Sequence, residues 1–342
     1  MDFSSIRALE RSNANMLKNS NMKLADIIFS IASDEDFEKV ALEVYAYQAE
    51  HCKVYRDFVN QLNWKAPTCT KEIPFLPIEF FKTHHVIASN TESQQVFKSS
   101  GTGGSRSLHP VTDLNLYEAS FNFHYRKFIG EPKEQVILAL LPNYIEQGES
   151  SLIYMVNHLI DQSQNELSGF LLEDADSLLN RYHSALKKKK QVVLFGVSYA
   201  LLDLAEKQLD LSKAIIIETG GMKGRRKELT KAELHAILKK GFNCSSISSE
   251  YGMTELLSQA YSNQDGIFET SSIMKVLIRE TNDPFSYTKD GKTGGINVID
   301  LANIYSCSFI ATQDLGKIVT NGFEIMGRFD NSDVRGCNLM IG

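Results

Sequence analysis

Val136-Ile137-Leu138-Ala139-Leu140-Leu141 is the first of four short, continuous apolar runs in the middle of the chain. Residues 169–172, 192–195 and 214–217 form the other three, and amphipathic segments separate them. Buried strands that alternate with helices are typical of βαβ units and a mainly parallel sheet. The sequence therefore predicts an α/β fold.

Helical patterns lie on both sides of these runs. Residues 34–62 carry apolar side chains at helical spacing, which predicts a long helical region that packs through its apolar face. Thr230 and Glu233 have the spacing of a capping box, and Gly241 follows as a stop signal. A strand around 244–249 would come next, and open α/β sheets bind ligands beyond the carboxyl ends of such strands.

The end of the chain has a different pattern. Residues 273–278 and 295–299 are apolar runs that favour strands. Asp290-Gly291 and Asn321-Gly322 have the composition of tight turns. We therefore expect a β-rich subdomain after Ser271.

Composition limits the class of protein. With 342 residues, 43% of them apolar and 23% charged, the chain can bury a large core. Its net charge of -6 at pH 7 gives no reason to expect a broad basic face, so nucleic acid is not an expected partner. Residues 187–190 form the only concentrated positive block, which we interpret as the solvated end of a helix.

Cysteine usage and the apolar segments favour a cytoplasmic protein. The five cysteines are odd in number and include no Cys-x-x-Cys pair, so neither a disulfide framework nor a zinc site is expected. Residues 1–15 lack the apolar core of a secretory signal. No apolar run approaches the roughly 18 residues that a membrane span requires.

Phe97-Lys98-Ser99-Ser100-Gly101-Thr102-Gly103-Gly104-Ser105-Arg106 is rich in Ser, Thr and Gly. Such a run lets backbone N–H groups and hydroxyls converge on phosphate oxygens, and glycine can adopt the positive φ values that a concave loop needs. A Walker-type loop would need Gly-Lys before Ser or Thr, and the dinucleotide fingerprint would need glycine where Arg106 stands. The run therefore favours a phosphate loop, but it matches neither the Walker type nor the dinucleotide type.

Glu250-Tyr251-Gly252-Met253-Thr254-Glu255 follows the strand expected around 244–249. Its ring, hydroxyl and carboxylate are the parts needed to stack a base, contact an α-phosphate and hold Mg²⁺, which prefers oxygen ligands. Taken singly, Tyr251 could be core packing and Glu255 could stabilise a helix start. The two segments together indicate a nucleotide site.

Five segments, in the expected order over residues 99 to 330, resemble the motifs of the adenylate-forming acyl-activating enzymes. They are the Ser/Thr/Gly loop, Gly220-Gly221, the Tyr-Gly-x-Thr-Glu motif at 251–255, Asp314 after Gln313, and the hinge motif Gly327-Arg328-Phe329-Asp330. The resemblance implies ATP and Mg²⁺ as cofactors. It also implies the fold, a large α/β domain with mainly parallel sheets plus a β-rich terminal subdomain.

The same resemblance implies a role for each segment. The loop would hold the β- and γ-phosphates, the glycine pair would lie against adenine, and Asp314 and Arg328 would reach the ribose. Thr254 would contact the α-phosphate, and Glu255 would hold the metal. The cofactor-binding residues implied in this way are Ser99, Ser100, Gly101, Thr102, Gly103, Gly104, Ser105, Arg106, Gly220, Gly221, Tyr251, Gly252, Asp314 and Arg328.

Within that superfamily the chain is most similar to the acyl-protein synthetases, the long-chain-fatty-acid luciferin-component ligases of bacterial fatty-acid reductase complexes. Phenylacetate-CoA ligases are more distant. Residues 73–82 and 335–340 carry this likeness, which covers most of 40–342. It leads us to expect three regions: a helical N-terminal region at 1–90 packed on the core, an α/β nucleotide-binding core at 91–270, and a β-rich subdomain ending at the hinge motif at 271–342.

Ordinary members of the superfamily continue past the hinge into a mobile lid that carries a catalytic lysine. Only residues 331–342 follow the hinge here, so we expect the lid to be absent. Lys98, Arg106 or a group from a partner could replace its lysine, and the sequence does not choose among them.

The expected activity is ATP-dependent conversion of a carboxylic acid, by resemblance a fatty acid, to an acyl-adenylate. Thr254, Glu255 and Cys337 are the expected catalytic residues, with Cys337 accepting the acyl group as a thioester. Free cysteines are most often small buried hydrophobes, and this reading of Cys337 stays open. An acyl-CoA reductase-like protein or an acyl-carrier protein is the partner that the resemblance implies.

Two other functions remain open on the sequence. The chain could be an acyl- or aryl-ligase that delivers to coenzyme A or to a carrier protein. It could instead be a noncatalytic subunit that binds a nucleotide. Turnover that depends on an added acid would exclude the noncatalytic subunit. A requirement for Cys337 would distinguish the acyl-protein synthetase from the coenzyme A or carrier-protein ligase.

Overall fold

The computed structural model describes residues 24–88, 92–99, 105–141, 149–171, 175–220 and 229–329. Its helices are α1 (Leu24–Ile28), α2 (Asp34–His51), α3 (Lys53–Gln61), α4 (Phe80–Thr83), α5 (Leu114–Phe128), α6 (Ser151–Ser163), α7 (Ala175–Lys187), α8 (Ser198–Ala205) and α9 (Lys231–Phe242), with short 3-10 turns at Thr70–Glu72 and Pro132–Glu134. Its strands are β1 (Leu76–Pro77), β2 (Gln95–Lys98), β3 (Leu108–Val111), β4 (Gln135–Leu140), β5 (Gly169–Phe170), β6 (Gln191–Val197), β7 (Ala214–Thr219), β8 (Ser248–Tyr251), β9 (Ala260–Ser262), β10 (Ile267–Phe268), β11 (Met274–Arg279), β12 (Gly294–Asp300), β13 (Phe309–Val319) and β14 (Gly322–Arg328).

The predicted parallel sheet is confirmed. Its strand order is β5-β4-β6-β7-β8-β9, and only the last pair, β8 with β9, is antiparallel. The four apolar runs coincide with β4 to β7, of which β4 is buried along its whole length. The strand expected around 244–249 starts later, at Ser248, and runs to Tyr251. Tyr251 is therefore the last residue of a strand rather than part of the loop beyond it.

The long helical region predicted over 34–62 is two helices. Ser33 and Asp36 form a capping box at the start of α2. Cys52 then adopts an extended conformation, with φ -89° and ψ 101°, and makes an isolated antiparallel bridge to Ala88. This tertiary pairing interrupts the helix although the apolar spacing continues, and α3 restarts at Lys53.

The predicted β-rich part is also present. Strands β10-β14-β13-β12-β11 form an antiparallel sheet, and β1 pairs with β13 in parallel, with Leu76 opposite Ile310. The capping box at Thr230 and Glu233 opens α9 as expected. The stop predicted at Gly241 is wrong, because the helix includes this residue and ends at Phe242, where Asn243 takes the left-handed conformation. The α/β fold with a β-rich terminal part is thus the observed one.

Gln48 joins α2 to the antiparallel sheet. It is fully buried, and its Nε2 donates to the backbone oxygens of Asn303 and Ile304, each at 2.9 Å. Its Oε1 accepts from Ser308 N at 3.0 Å. Because a buried amide is stable only when its donors and acceptors are paired, these bonds fix α2 against the loop after β12.

Candidate active site

The carboxyl end of β8 lies beside two strands of the antiparallel sheet. Tyr251 donates its hydroxyl hydrogen to Asp314 Oδ2 at 2.8 Å. Asp314 is opposite Arg328 in the β13–β14 register, and Arg328 Nε lies 3.2 Å from Asp314 Oδ1. Antiparallel neighbours have side chains on the same face, so the ladder itself brings the carboxylate and the guanidinium together.

Asp314 and Arg328 differ in exposure. Burial raises the pKa of Asp314, against the hydrogen bond from Tyr251 and the charge of Arg328. The side chain of Asp314 is only 15% exposed, whereas that of Arg328 is 69% exposed. Arg328 therefore keeps donors on the solvent side, which a polar ligand lying over Tyr251 and Asp314 can use.

Glu255 is a buried carboxylate, 5% exposed. Burial raises its pKa, although a hydrogen bond from Ser107 and the charges of Arg328 and Lys82 oppose the rise. A carboxylate with so little solvent is stabilised by a nearby cation. Among the described residues there is no cluster of three or more His, Cys, Asp or Glu side chains that could hold a metal. A Mg²⁺ ion at Glu255 would thus take its other ligands from phosphate and water oxygens, which is how this ion is usually held.

Ser107 connects Glu255 to the base of the Ser/Thr/Gly loop. Ser107 N donates to Ser99 Oγ at 3.0 Å, and Ser99 N donates to Ser107 O at 3.1 Å. The same Ser107 donates its hydroxyl to Glu255. On the near side of the loop, Lys98 is held by Glu149, with Nζ at 2.5 Å from Oε1. The two ends of the loop are therefore fixed next to the Glu255 carboxylate.

His109 and Asn303 hold the backbone of the 254–255 turn. His109 Nδ1 lies 2.7 Å from the carbonyl oxygen of Thr254, and Asn303 Nδ2 donates to the carbonyl oxygen of Glu255 at 2.8 Å. Burial lowers the pKa of His109 to about 4, so its ring is neutral near pH 7. A neutral ring has one N–H, and the shorter contact assigns it to Thr254 rather than to Asn303 Oδ1 at 3.1 Å.

Asp300 fixes the chain that follows. It is fully buried and accepts from Leu257 N at 2.7 Å, Ser258 N at 2.9 Å and Ala302 N at 3.1 Å, and from Ser258 Oγ at 2.5 Å. A carboxylate that accepts several backbone N–H groups acts as a rigid clamp on the turn.

The ends of β7 and β8 are joined by Thr219 and Glu250. These residues are opposite each other in the register, and Thr219 donates its hydroxyl to Glu250. Gly220 follows β7 with φ +72°, a value that favours glycine. A Cβ on Gly252 would overlap Glu250 Oε1, so a larger residue here would have to displace the Glu250 side chain.

Glu218 and Lys231 form a charged pair beneath this edge. Lys231 Nζ donates to Glu218, which also accepts from Ser249 Oγ at 2.6 Å and from Ser198 Oγ at 2.9 Å. Burial opposes the charge on Glu218, but Lys231 and the surrounding hydrogen bonds lower its pKa. Glu218 thus stays ionised, and its charge acts on the neighbouring Glu250.

Glu250 predicts a pH dependence of stability. Burial, with the charge of Glu218, raises its pKa to about 7 from 4.5. Between pH 4.5 and pH 7, Glu250 is ionised in the unfolded chain and protonated in the folded chain. The free energy of unfolding therefore falls as the pH rises, by roughly 1 kcal/mol per pH unit from this group. Glu250→Gln cannot ionise but still accepts from Thr219. In urea unfolding, we expect the free energy of unfolding of Glu250→Gln, relative to that of the natural chain, to increase from pH 5 to pH 7.

Glu269→Gln is the matched control for this measurement, because Glu269 is exposed. The interpretation would be wrong if Glu250→Gln and the natural chain lost stability in parallel across the whole interval.

Ten of the seventeen residues predicted for the site lie in the described part of the chain. Tyr251, Asp314 and Arg328 are in contact, Glu255 contacts the loop base, and Ser99 and Gly220 lie at the ends of described segments. Ser105 and Arg106 are exposed. The predicted residues that lie outside the described part of the chain are Ser100, Gly101, Thr102, Gly103, Gly104, Gly221 and Cys337.

Four supporting residues were missed in the sequence: Ser107, His109, Asp300 and Asn303. Ser107 directly follows the loop, and that position was the only signal for it. The others act through contacts with residues between 42 and 194 positions away, and no local pattern marks them.

No helix in the described segments has the length and apolar character needed to cross a bilayer.

No protein-family model matches the chain, and no curated protein matches it significantly. Among solved structures it is similar to ATP-bound MatB from Rhodopseudomonas palustris, with 18% identity and a TM-score of 0.53 over 68% of this chain and 47% of that one. It is also similar to 2-hydroxyisobutyryl-CoA ligase in complex with 2-HIB-AMP, in the postadenylation state, with 13% identity and a TM-score of 0.63 over 88% of this chain and 70% of that one. The same ligase with 2-HIB-AMP and CoA, in the thioesterification state, matches equally well.

The chain therefore spans about half the length of MatB and about 70% of the length of the ligase. At these identities the likeness establishes the fold. This chain has the fold that MatB and 2-hydroxyisobutyryl-CoA ligase share.

Proposed function

We propose that the chain uses ATP to convert a carboxylic acid, with a fatty acid as the first class to test, into an acyl-adenylate and then transfers the acyl group to a thiol. The observation that carries the proposal is the convergence of Tyr251, Asp314 and Arg328 beside the buried Glu255, which Ser107 joins to the loop base. The fold supports it, since the similar structures contain ATP or an acyl-AMP.

In this proposal each part of the site binds one part of the nucleotide. Asp314 accepts from the ribose hydroxyls, and Arg328 contacts the ribose from the solvent side. The adenine lies between Tyr251 and the Gly220-Gly221 segment. The Ser/Thr/Gly loop holds the β- and γ-phosphates, because its ends are fixed next to Glu255.

The first step forms the mixed anhydride. An oxygen of the substrate carboxylate attacks the α-phosphorus, the bond from that phosphorus to the bridging β-phosphate oxygen breaks, and the electron pair leaves with pyrophosphate. Thr254 donates its hydroxyl to the α-phosphate, while His109 holds the backbone of Thr254 and Asn303 that of Glu255. Such preorganised donors contribute most of the rate in phosphoryl chemistry.

Glu255 would hold the Mg²⁺ ion, which supplies charge neutralisation to the phosphates when bound. In the second step a thiolate sulfur attacks the acyl carbon, the bond to the phosphate oxygen breaks, and AMP leaves. The thiol proton passes to solvent. We propose Cys337 as that thiol, with an acyl-CoA reductase-like protein or an acyl-carrier protein as the next recipient.

A second candidate acceptor is coenzyme A. The observation that favours it is the similar ligase structure that contains 2-HIB-AMP together with CoA. Under this alternative Cys337 is dispensable, and the first step is unchanged.

The test of adenylation is Mg²⁺-dependent exchange of labelled pyrophosphate into ATP with a panel of fatty and aromatic acids. We expect exchange that requires one class of acid. ATP binding without exchange for any acid would favour the noncatalytic subunit instead, and absence of ATP binding would contradict the proposal altogether.

The acceptor is tested by trapping the thioester. The protein is incubated with ATP and the labelled acid selected above, and label that resists denaturation but is released by hydroxylamine is measured. We expect Cys337→Ala to abolish this label and Cys244→Ala, at a half-buried cysteine, to retain it. Label that appears only on added coenzyme A, and equally in both variants, would select the CoA ligase.

A further inference from the structure

Residues 76–83 lie beside the site although they precede the phosphate loop in the chain. β1 pairs with β13 at Ile310 and Ala311, shortly before Asp314. Gln313, next to Asp314, donates its side-chain amide to Glu79. This segment is therefore anchored on the strand that carries the proposed ribose ligand.

Phe81 anchors the same segment on the other side of the site. Its side chain is fully buried, and its ring meets that of His109 edge to face, with centroids 5.6 Å apart. His109 in turn contacts the carbonyl oxygen of Thr254 at 2.7 Å. The short helix α4 is thus fixed between β13 and the 254–255 turn.

Lys82 follows Phe81 and is exposed. Its charge, like that of Arg328, lowers the pKa of the buried Glu255 carboxyl against the larger effect of burial. Among the described residues no carboxylate lies within ion-pair distance of Lys82. Lys98 differs, because Glu149 already holds it at 2.5 Å.

An exposed lysine on α4, which is fixed against the 254–255 turn, has a definite chemical use in the proposed reaction. Pyrophosphate carries several negative charges as it leaves, and a positioned lysine stabilises such charge as a point cation. AMP lacks the β- and γ-phosphates, so a cation on their side distinguishes ATP from AMP.

We propose that Lys82 binds the β- and γ-phosphates of ATP and stabilises the departing pyrophosphate. This inference rests on the proposed function, because it needs ATP as the substrate. It assigns a role to a residue of the segment 73–82, which contains none of the nucleotide-binding motifs. It also adds a cation on α4 to the two considered from the sequence, Lys98 and Arg106.

The test compares ATP and AMP binding by isothermal titration calorimetry in buffer with Mg²⁺. We expect Lys82→Gln to weaken ATP binding about tenfold, the effect of one charge-assisted contact, and to change AMP binding less than about twofold. Lys82→Arg should recover part of the affinity. Lys71→Gln, at an exposed lysine on the 3-10 turn Thr70–Glu72, should match the natural chain.

In pyrophosphate exchange, Lys82→Gln should also raise the KM for pyrophosphate. Unchanged ATP affinity in Lys82→Gln, or equal losses for ATP and AMP, would overturn the role of Lys82 and leave the proposed function standing. A natural chain that binds neither nucleotide would overturn both.

Discussion

Glu255→Gln is expected to lower the kcat of acid-dependent pyrophosphate exchange by about 100- to 1000-fold, the size of loss seen when one preorganised electrostatic contact is removed from an active site, because the Mg²⁺ that neutralises the phosphates would lose its charged ligand. The substitution keeps the size of the side chain and an acceptor for Ser107, so the loss isolates the charge. Because burial raises the pKa of Glu255, the ionised form is disfavoured in the fold. We therefore expect the melting temperature to stay constant or rise.

Glu50→Ala is the matched control, since the side chain of Glu50 is 77% exposed and its carboxylate lies 3.9 Å from His51. It should leave exchange and stability unchanged. If Glu255→Gln kept full exchange at saturating Mg²⁺, Glu255 would not be the metal ligand. Raising the Mg²⁺ concentration should recover little of the activity of Glu255→Gln, because the neutral amide does not replace the charge of the carboxylate.

Asp300→Ala is expected to destabilise the protein by about 3 to 5 kcal/mol, because the donors that it leaves unpaired are buried. Those donors are the backbone N–H groups of Leu257, Ser258 and Ala302 and the hydroxyl of Ser258. Asp300→Asn keeps one acceptor oxygen and should lose less. Urea unfolding, followed by the midpoint and the slope, measures both.

Asp161→Ala controls for the loss of a carboxylate on an exposed helix position, where the carboxylate accepts a 3.2 Å hydrogen bond from Asn157. Its midpoint should match that of the natural chain. Equal midpoints for Asp300→Ala and Asp161→Ala would mean that water replaces the carboxylate at the turn. Asp300 would then not be what holds the backbone of Leu257 and Ser258 in place.

The sequence predicted those parts of the fold that depend on local patterns. Continuous apolar runs marked β4 to β7 because strands buried on both faces need apolar side chains throughout. The capping box at Thr230 marked α9 because it pairs backbone groups within four residues. The break at Cys52 could not be predicted, since it depends on the bridge to Ala88.

Local patterns alone did not predict the candidate site. The motif residues followed from a resemblance, and the structure brings Tyr251, Asp314 and Arg328 into contact. Periodicity could not have paired Tyr251 with Asp314, 63 positions apart. His109 and Asn303 support the turn from 145 and 48 positions away, so they became visible only in the folded chain. The chemical role of each motif residue, and the division at 90 and 270, stay predictions.

The attachment of α2 to the loop after β12 has a consequence for biosynthesis. Gln48 meets its backbone partners 255 and 256 positions later in the chain. At about 5 to 20 residues per second, a ribosome needs on the order of tens of seconds to make that length. During this interval Phe37 and Tyr45 of α2 lack their partners on the antiparallel sheet, Lys275 and Phe309. Chaperone demand for this protein should therefore depend on translation speed across the middle of its message.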